Sequence, residues 1–307
     1  MILTLSGPNS FSLQRDLTRI VDVFVREQGD LALERIDGAE TELSAIREAI
    51  SSLPFLASKK LVILRAPSSN KLFTERIEQL LAVAAETTDI VIHEPKLDKR
   101  SVYYKILKKQ TDYREYAELD VNGLAAWLIR EAKDRAGSIK SNDARYLVER
   151  VGANQQLLSN EIEKLILYSA IVTRTTIDEL TEATPQTTIF QLLEAAFAGN
   201  AQRAFGLYHD QRALKVEPIQ IIAMLTWQLH ILAIVKAAGD RGPADIAKQT
   251  KISPYVIQKS AAIANHLTIS ELRTLISELL TFDVRSKSQP IDVDEALQLY
   301  ILKLTRL

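Results

Sequence analysis

The chain has 307 residues, of which 47% are hydrophobic and 25% are charged, and its formal net charge is −1. This length and composition predict a soluble globular protein of two or three domains, and the near-neutral charge argues against a uniformly basic nucleic-acid binder. The chain has no cysteine, which excludes disulfides and thiolate chemistry and is compatible with a reducing compartment.

The amino-terminal residues lack the basic segment and the long apolar core of a secretory signal peptide. No apolar run approaches the ~20 residues that a membrane-spanning helix needs. We therefore expect a cytoplasmic protein with no membrane partner.

Strand and helix patterns alternate in the first part of the chain. Helical periodicity, with apolar residues three and four apart, lies between short apolar runs. The predicted strands are residues 2–5, 31–36, 61–64, 89–93 and 113–119. Alternation of this kind predicts an α/β domain with a mostly parallel sheet, which we place at residues 1–136.

Strand patterns disappear after about Asn122, and the rest of the chain reads as helical. A compact set of short helices, predicted at 141–151, 155–169 and 176–183, is interrupted at Gly152 and Pro185. Longer helices follow to the end of the chain. We therefore expect a small helical domain at residues 137–186 and a larger one at 187–307.

Residues 53–65 combine two unusual features. The run from Leu61 to Leu64 is apolar throughout, as expected of a strand that is buried on both faces of a parallel sheet. Just before it, Pro54 ends a helix and leaves Phe55 and Leu56 side by side. The pair is either a hydrophobic plug in the core or an exposed anchor for an apolar pocket on a partner.

The patterns of common catalytic and metal sites are not found. The first strand is followed by a turn at residues 6–10 that has one glycine, a proline without an N–H group, and no lysine, so it does not match a phosphate-binding loop. The four histidines are far apart and lack metal-ligand spacing. We expect no catalytic residue, no bound cofactor and no metal.

A basic segment near residue 100 contains interleaved tyrosines, which could hold a nucleic-acid backbone and stack on a base. An ordinary half-buried helix with a solvated basic face explains the same pattern. The residues of this candidate DNA contact are Lys99, Arg100, Lys105 and Lys108.

Five segments, in this order and spacing, are similar to one family across the whole chain. They are LSGPNSFSL at 5–13, LPFLASKKLVIL at 53–64, LDKR at 97–100, LSNEIEKLILY at 158–168 and FDVRSK at 282–287. The family that the chain resembles is the delta subunit of the bacterial DNA polymerase III clamp loader.

The resemblance implies an AAA+-like fold without its own P-loop, a helical lid domain at 137–186 and a helical collar domain at 187–307. It also implies a subunit that opens the ring-shaped sliding clamp for loading onto primed DNA, by inserting Phe55 and Leu56 into a pocket on the clamp. ATP would be bound by partner subunits of the polymerase holoenzyme, which assemble through the collar. Two ion pairs are then expected to be architectural: Glu161 with Lys164, and Asp283 with Lys287.

Two other functions remain open from the residues alone. One is a degenerate AAA+ ATPase that acts on its own, and the other is a helical adaptor that binds DNA. Measurable ATP turnover would favour the first, and tight, salt-dependent DNA binding by the isolated chain would favour the second.

Overall fold

The computed structural model describes residues 1–55 and 57–306. The chain divides into two compact units, Met1–Glu118 and Leu119–Leu307. The first unit is built on a parallel sheet, and the second consists almost entirely of helices. The predicted combination of an α/β part and an all-helical part is therefore confirmed.

The first unit contains a five-stranded sheet in the order β2-β3-β4-β1-β5, and every neighbouring pair is parallel. The strands are β1 (Ile2–Ser6), β2 (Leu33–Asp37), β3 (Lys60–Arg65), β4 (Thr88–Glu94) and β5 (Asp112–Glu115). The helices are α1 (Ser10–Gln28), α2 (Leu43–Ser51), α3 (Lys71–Ala82) and α4 (Val102–Gln110), with 3₁₀ turns at Asp30–Ala32 and Pro67–Ser69.

Both faces of this sheet are covered, which explains the unbroken apolar run in β3. Leu61 and Ile63 pack in one cluster with α1, whereas Val62 and Leu64 pack in another with α2, α3 and α4. Because successive side chains of a strand point to opposite faces, a strand between two helical layers must be apolar at every position.

The second unit contains eleven helices among its described residues, 119–306. They are α5 (Val121–Asp134), α6 (Ser141–Val151), α7 (Gln155–Tyr168), α8 (Arg174–Leu180), α9 (Pro185–Phe197), α10 (Ala201–Ala213), α11 (Pro218–Ala238), α12 (Pro243–Thr250), α13 (Pro254–Ala264), α14 (Ile269–Ser288) and α15 (Val293–Leu304). Two strands of two residues each, β6 (Ser138–Ile139) and β7 (Ile171–Val172), pair in parallel. The sequence analysis missed these strands because two residues are too few to show a period.

Helix α5 lies in the second unit, which differs from the predicted domain boundary at residue 136. It packs against α6 and α7 and buries Leu124, Leu128 and Ala132. The Arg135 guanidinium, just after α5, pairs with Glu131 and donates to Ser159 Oγ of α7 at 3.2 Å. The amphipathic pattern of α5 is compatible with packing on the first unit or on the second, so the sequence did not reveal to which unit the helix belongs. The predicted division at residues 186 and 187 stays a prediction.

Helix α11 corrects one statement of the sequence analysis. Among the described residues it is the one helix that is long and apolar enough to cross a membrane. Half of its most apolar window is buried, and it packs against α9, α13, α14 and α15. Its composition therefore has a packing explanation, since the central helix of an all-helical core is apolar around most of its circumference.

Candidate functional site

An exposed apolar loop connects α2 to β3 at the end of the sheet where the parallel strands begin. The side chains of Leu53 and Phe55 are 76% and 78% exposed, which excludes Phe55 as a plug in the hydrophobic core of this unit. Leu56, the second residue of the predicted pair, lies outside the described residues. Two large apolar side chains that are this exposed and this close in sequence make the loop a candidate surface for a partner.

The loop begins where α2 ends. The backbone of Ser52 is extended, and its N–H group donates to the Glu48 carbonyl oxygen at 2.9 Å as the last helical hydrogen bond. Pro54 follows two residues later, which disfavours helical backbone at Leu53. The chain therefore leaves the helix just before the exposed residues.

Hydrogen bonds from distant parts of the unit hold the other end of the loop. Gln28, the last residue of α1, accepts from Ser58 Oγ at 2.7 Å and from the Lys59 backbone N–H at 3.2 Å, both through its Oε1 atom. The Lys59 ammonium lies 3.4 Å from Asp89 Oδ2 at the start of β4. Both loop ends are thus fixed while the tip is exposed.

Lys60, the first residue of β3, contacts both ends of the loop. Its ammonium donates to the Ala49 carbonyl oxygen at 2.9 Å and to Ser52 Oγ at 3.1 Å, and it pairs with Glu34 Oε2 of β2 at 2.6 Å. Its side chain is only 14% exposed. The sequence analysis assigned this residue no role.

The turn at residues 6–10 lies at the opposite end of the sheet, where β1 and the other parallel strands end. Asn9 donates from its backbone N–H to the Tyr116 carbonyl oxygen at 3.0 Å and from Nδ2 to the Ala117 carbonyl oxygen at 3.2 Å. A Cβ atom on Gly7 would lie 2.2 Å from the Tyr116 carbonyl oxygen. The turn therefore packs directly against the chain segment after β5.

Glu94 is the last residue of β4, at the same end of the sheet, and is almost fully buried. Its carboxyl group accepts from the Ser68 backbone N–H at 2.6 Å, from Ser68 Oγ at 2.8 Å and from Tyr103 Oη at 3.2 Å. Burial raises the pKa of Glu94, and these hydrogen bonds oppose that rise. Its contacts connect β4 to α4 and to the turn after β3.

The candidate DNA-contact residues do not form a single free basic surface. Lys99 pairs with Glu115 of β5, a contact that raises the pKa of the lysine. Arg100, Lys105 and Lys108 are exposed, and the Lys108 ammonium lies 5.9 Å from the centre of the Tyr104 ring. All four basic side chains are thus exposed in or next to α4, and Lys99 is the one that pairs with Glu115.

Each of the two predicted architectural pairs bridges successive turns of one helix. Glu161 Oε2 and Lys164 Nζ of α7 are 2.6 Å apart, and Asp283 Oδ2 and Lys287 Nζ of α14 are 2.7 Å apart. Both lysines are largely exposed, so each pair contributes only a few tenths of a kcal/mol, about 0.3–0.5, to stability.

Leu53 is a residue of the site that the sequence analysis missed. Its spacing of two from Phe55 could have indicated it, since alternate residues of an extended segment point in the same direction.

Across residues 1–55 and 57–306, no group of three or more His, Asp or Glu side chains is arranged to hold a metal ion.

Two family models match most of the chain. Residues 3–117 match the model described as "DNA polymerase III, delta subunit", and residues 186–304 match "DNA polymerase III delta subunit, C-terminal domain". The exposed loop and the turn at residues 6–10 both lie within the first match.

Individual relatives agree with these models. DNA polymerase III subunit delta of Bacillus subtilis (strain 168) is 25% identical over 322 residues, which cover 99% of this chain and 93% of that protein. The probable DNA polymerase III subunit delta of Aquifex aeolicus (strain VF5) is 19% identical over 224 residues, covering 69% of this chain and 64% of that protein.

The solved structure of the Bacillus subtilis DNA clamp loader delta protein has the same fold. It superimposes with a TM-score of 0.88 at 24% sequence identity and covers 100% of this chain and 95% of that chain.

Proposed function

Because the chain belongs to the family of bacterial DNA polymerase III delta subunits, we propose that it binds the sliding clamp through Phe55 and Leu56 and opens the ring for loading onto primed DNA. The observation that carries this proposal is the exposure of Phe55 at the tip of a loop with fixed ends. Leu53, equally exposed, is a third member of the same contact.

Burial of these apolar side chains can provide a substantial part of the binding free energy. Burying a large apolar side chain that was exposed contributes ~1.5–3 kcal/mol. Two or three such side chains in a pocket can therefore supply most of a useful affinity without an extended interface. If the closed ring is under tension, an anchor that binds the opened form better shifts an existing equilibrium, and this subunit needs no chemical step.

The proposal assigns no nucleotide hydrolysis to this subunit. A phosphate-binding loop needs free backbone N–H groups and room for the phosphates. In the turn at residues 6–10, Asn9 donates to the backbone of Tyr116 and Ala117, and Gly7 lies against Tyr116. These contacts argue against a degenerate ATPase and fit a loader in which partner subunits bind ATP.

Assembly with other loader subunits is proposed to use the collar, residues 187–307. Leu280 and Val284 are exposed, lie one turn apart on α14 and share a face, and Leu299 of α15 is also exposed. Apolar side chains of this kind are available for neighbouring helices in an oligomer. Contact of DNA with Lys99, Arg100, Lys105 and Lys108 stays a prediction for the assembled loader.

The proposal is tested by measuring the binding of the purified chain to its cognate sliding clamp by calorimetry. We expect Phe55→Ala/Leu56→Ala to weaken binding at least tenfold, about 1.4 kcal/mol, and Leu53→Ala to weaken it less. Val102→Ala is the matched control, because it shortens a similarly exposed side chain (71%) at the opposite end of the sheet. Circular dichroism establishes that every variant is folded.

Two results would contradict the proposal. Wild-type binding that survives in the folded double variant would mean that the anchor lies elsewhere. An absence of any wild-type binding to the clamp would remove clamp opening as the function and leave the adaptor hypothesis, which a DNA-binding titration at two salt concentrations then tests.

A further inference from the structure

Leu53 and Phe55 are the exposed apolar residues that the structure describes in the loop. Phe55 and Leu53 expose about three quarters of their surfaces, so contacts with the rest of the unit cannot hold these side chains firmly. The positions of Leu53 and Phe55 are therefore set by the residues on either side of them. These are Ser52 at the first end, and at the second end residues 58–60 together with Ala57, which packs against the cluster that contains α1. Whatever connects those ends determines how well the apolar side chains are positioned before they meet a partner.

One side chain connects them directly. Lys60 belongs to the second end of the loop, and its ammonium donates to Ala49 and Ser52 at the first end. An ammonium group has three N–H donors, and with Glu34 as the third partner all three are used. The Ala49 carbonyl lies in the last turn of α2, where carbonyl oxygens lack a partner within the helix.

We propose that Lys60 is the positioning residue of the apolar anchor. It closes the loop between α2 and β3 into a ring of hydrogen bonds that holds Leu53 and Phe55 in a binding-ready arrangement. A loop ordered in advance loses less conformational entropy on binding, and affinity rises accordingly. This inference rests on the proposed function of the loop, and it adds a residue that does not itself touch the partner.

The contacts separate this role from general stabilisation. Gln28 fixes the second end of the loop to α1, and the Lys59 ammonium lies against Asp89. Neither of these contacts reaches Ser52 or Ala49. The Thr88 hydroxyl also donates to the Ser52 carbonyl oxygen, at 3.5 Å, but it does not belong to either loop end. Loss of the Lys60 ammonium therefore removes the contacts that join the two ends directly and loosens the loop, while the sheet remains packed.

The test uses the full chain and its cognate sliding clamp. Lys60→Met keeps the length of the side chain and removes the ammonium, and Ser52→Ala removes one of its three partners. We expect Lys60→Met to weaken clamp binding at least tenfold and Ser52→Ala to weaken it severalfold. In both variants, the backbone amides of residues 52–59, other than Pro54, should exchange with deuterium faster than in the wild type.

Lys71→Met is the matched control, because it removes the same charge from an exposed lysine of this unit that pairs along its own helix with Glu75. It should leave clamp binding within twofold and exchange in the loop unchanged.

The outcomes separate this inference from the function on which it rests. If the wild type fails to bind, or the Phe55 variant binds normally, the proposed function is wrong and the role of Lys60 fails with it. If the Phe55 variant loses binding while folded Lys60→Met and Ser52→Ala bind like the wild type, only the positioning role is wrong. If Lys60→Met does not fold, Ser52→Ala decides in the same way.

Discussion

Glu94 is a buried carboxyl group whose two oxygen atoms are both occupied by donors of the protein. Ser68 and Tyr103 supply three hydrogen bonds to it. An acid at the end of a strand in an α/β unit is a natural candidate for catalysis, but these contacts leave Glu94 committed to the fold. At the residue scale, we therefore assign it to stability, and its raised pKa makes that role measurable.

Glu94→Gln should change the pH dependence of stability. Because burial raises the pKa of Glu94 in the folded state, the folded chain binds more protons than the unfolded chain above the ordinary value of 4.5. The contribution of this group is thus fully present below that pH and is lost as the pH rises through the raised value. Glutamine keeps acceptor and donor atoms and does not titrate, so the variant should gain stability relative to the wild type between pH 4 and pH 8.

Thermal unfolding at pH 4, 6 and 8, followed by circular dichroism, measures this difference. Melting temperatures of wild type and Glu94→Gln that shift in parallel with pH would show that the carboxyl group does not titrate in this range.

The geometry of the turn between β1 and α1 depends on one glycine. Gly7 has a φ of +130°, a conformation that side chains disfavour, and the backbone of Tyr116 lies where its Cβ would be. Gly7→Ala combines backbone strain with a clash against main-chain atoms that cannot move aside. We expect it to destabilise the first unit by more than ~2 kcal/mol, measured by urea unfolding.

Gly29 provides the control for this prediction. Its φ is +85°, but a Cβ there would meet no atom within 4 Å. Gly29→Ala should therefore cost only the backbone strain, about 1–2 kcal/mol. Equal effects of the two substitutions would mean that the turn can separate from Tyr116, and the argument against a nucleotide loop at residues 6–10 would be weakened.

At the scale of the whole molecule, the position of α5 determines where the chain can be cut. A fragment of residues 119–307 keeps α5 on α6 and α7, whereas a fragment of residues 137–307 exposes the apolar side chains that α5 covers. The longer fragment should fold and melt cooperatively. The shorter one should melt at a temperature at least several degrees lower or aggregate, because it exposes a large apolar surface.

Circular dichroism and limited proteolysis of the two fragments measure this difference. Identical melting temperatures and proteolytic resistance would show that α5 is dispensable for the second unit and would favour the predicted boundary at residue 136.

The sequence by itself determined the character of each half of the chain. Short apolar runs, period-3.6 patterns and helix-ending prolines are local signals, and they predicted the parallel sheet and most of the helices. The same kind of local reasoning left two possible roles for Phe55, a plug in the core or an exposed anchor.

Only the tertiary structure decided the rest. The exposure of Phe55, the attachment of α5 to the second unit, and the contacts of Lys60 with Ala49, Ser52 and Glu34 all depend on residues that are distant in sequence. The physical reason is that an amphipathic helix or a lysine carries no information about which neighbour it will meet. Burial and hydrogen bonding are properties of the assembled chain, whereas periodicity is a property of a short segment.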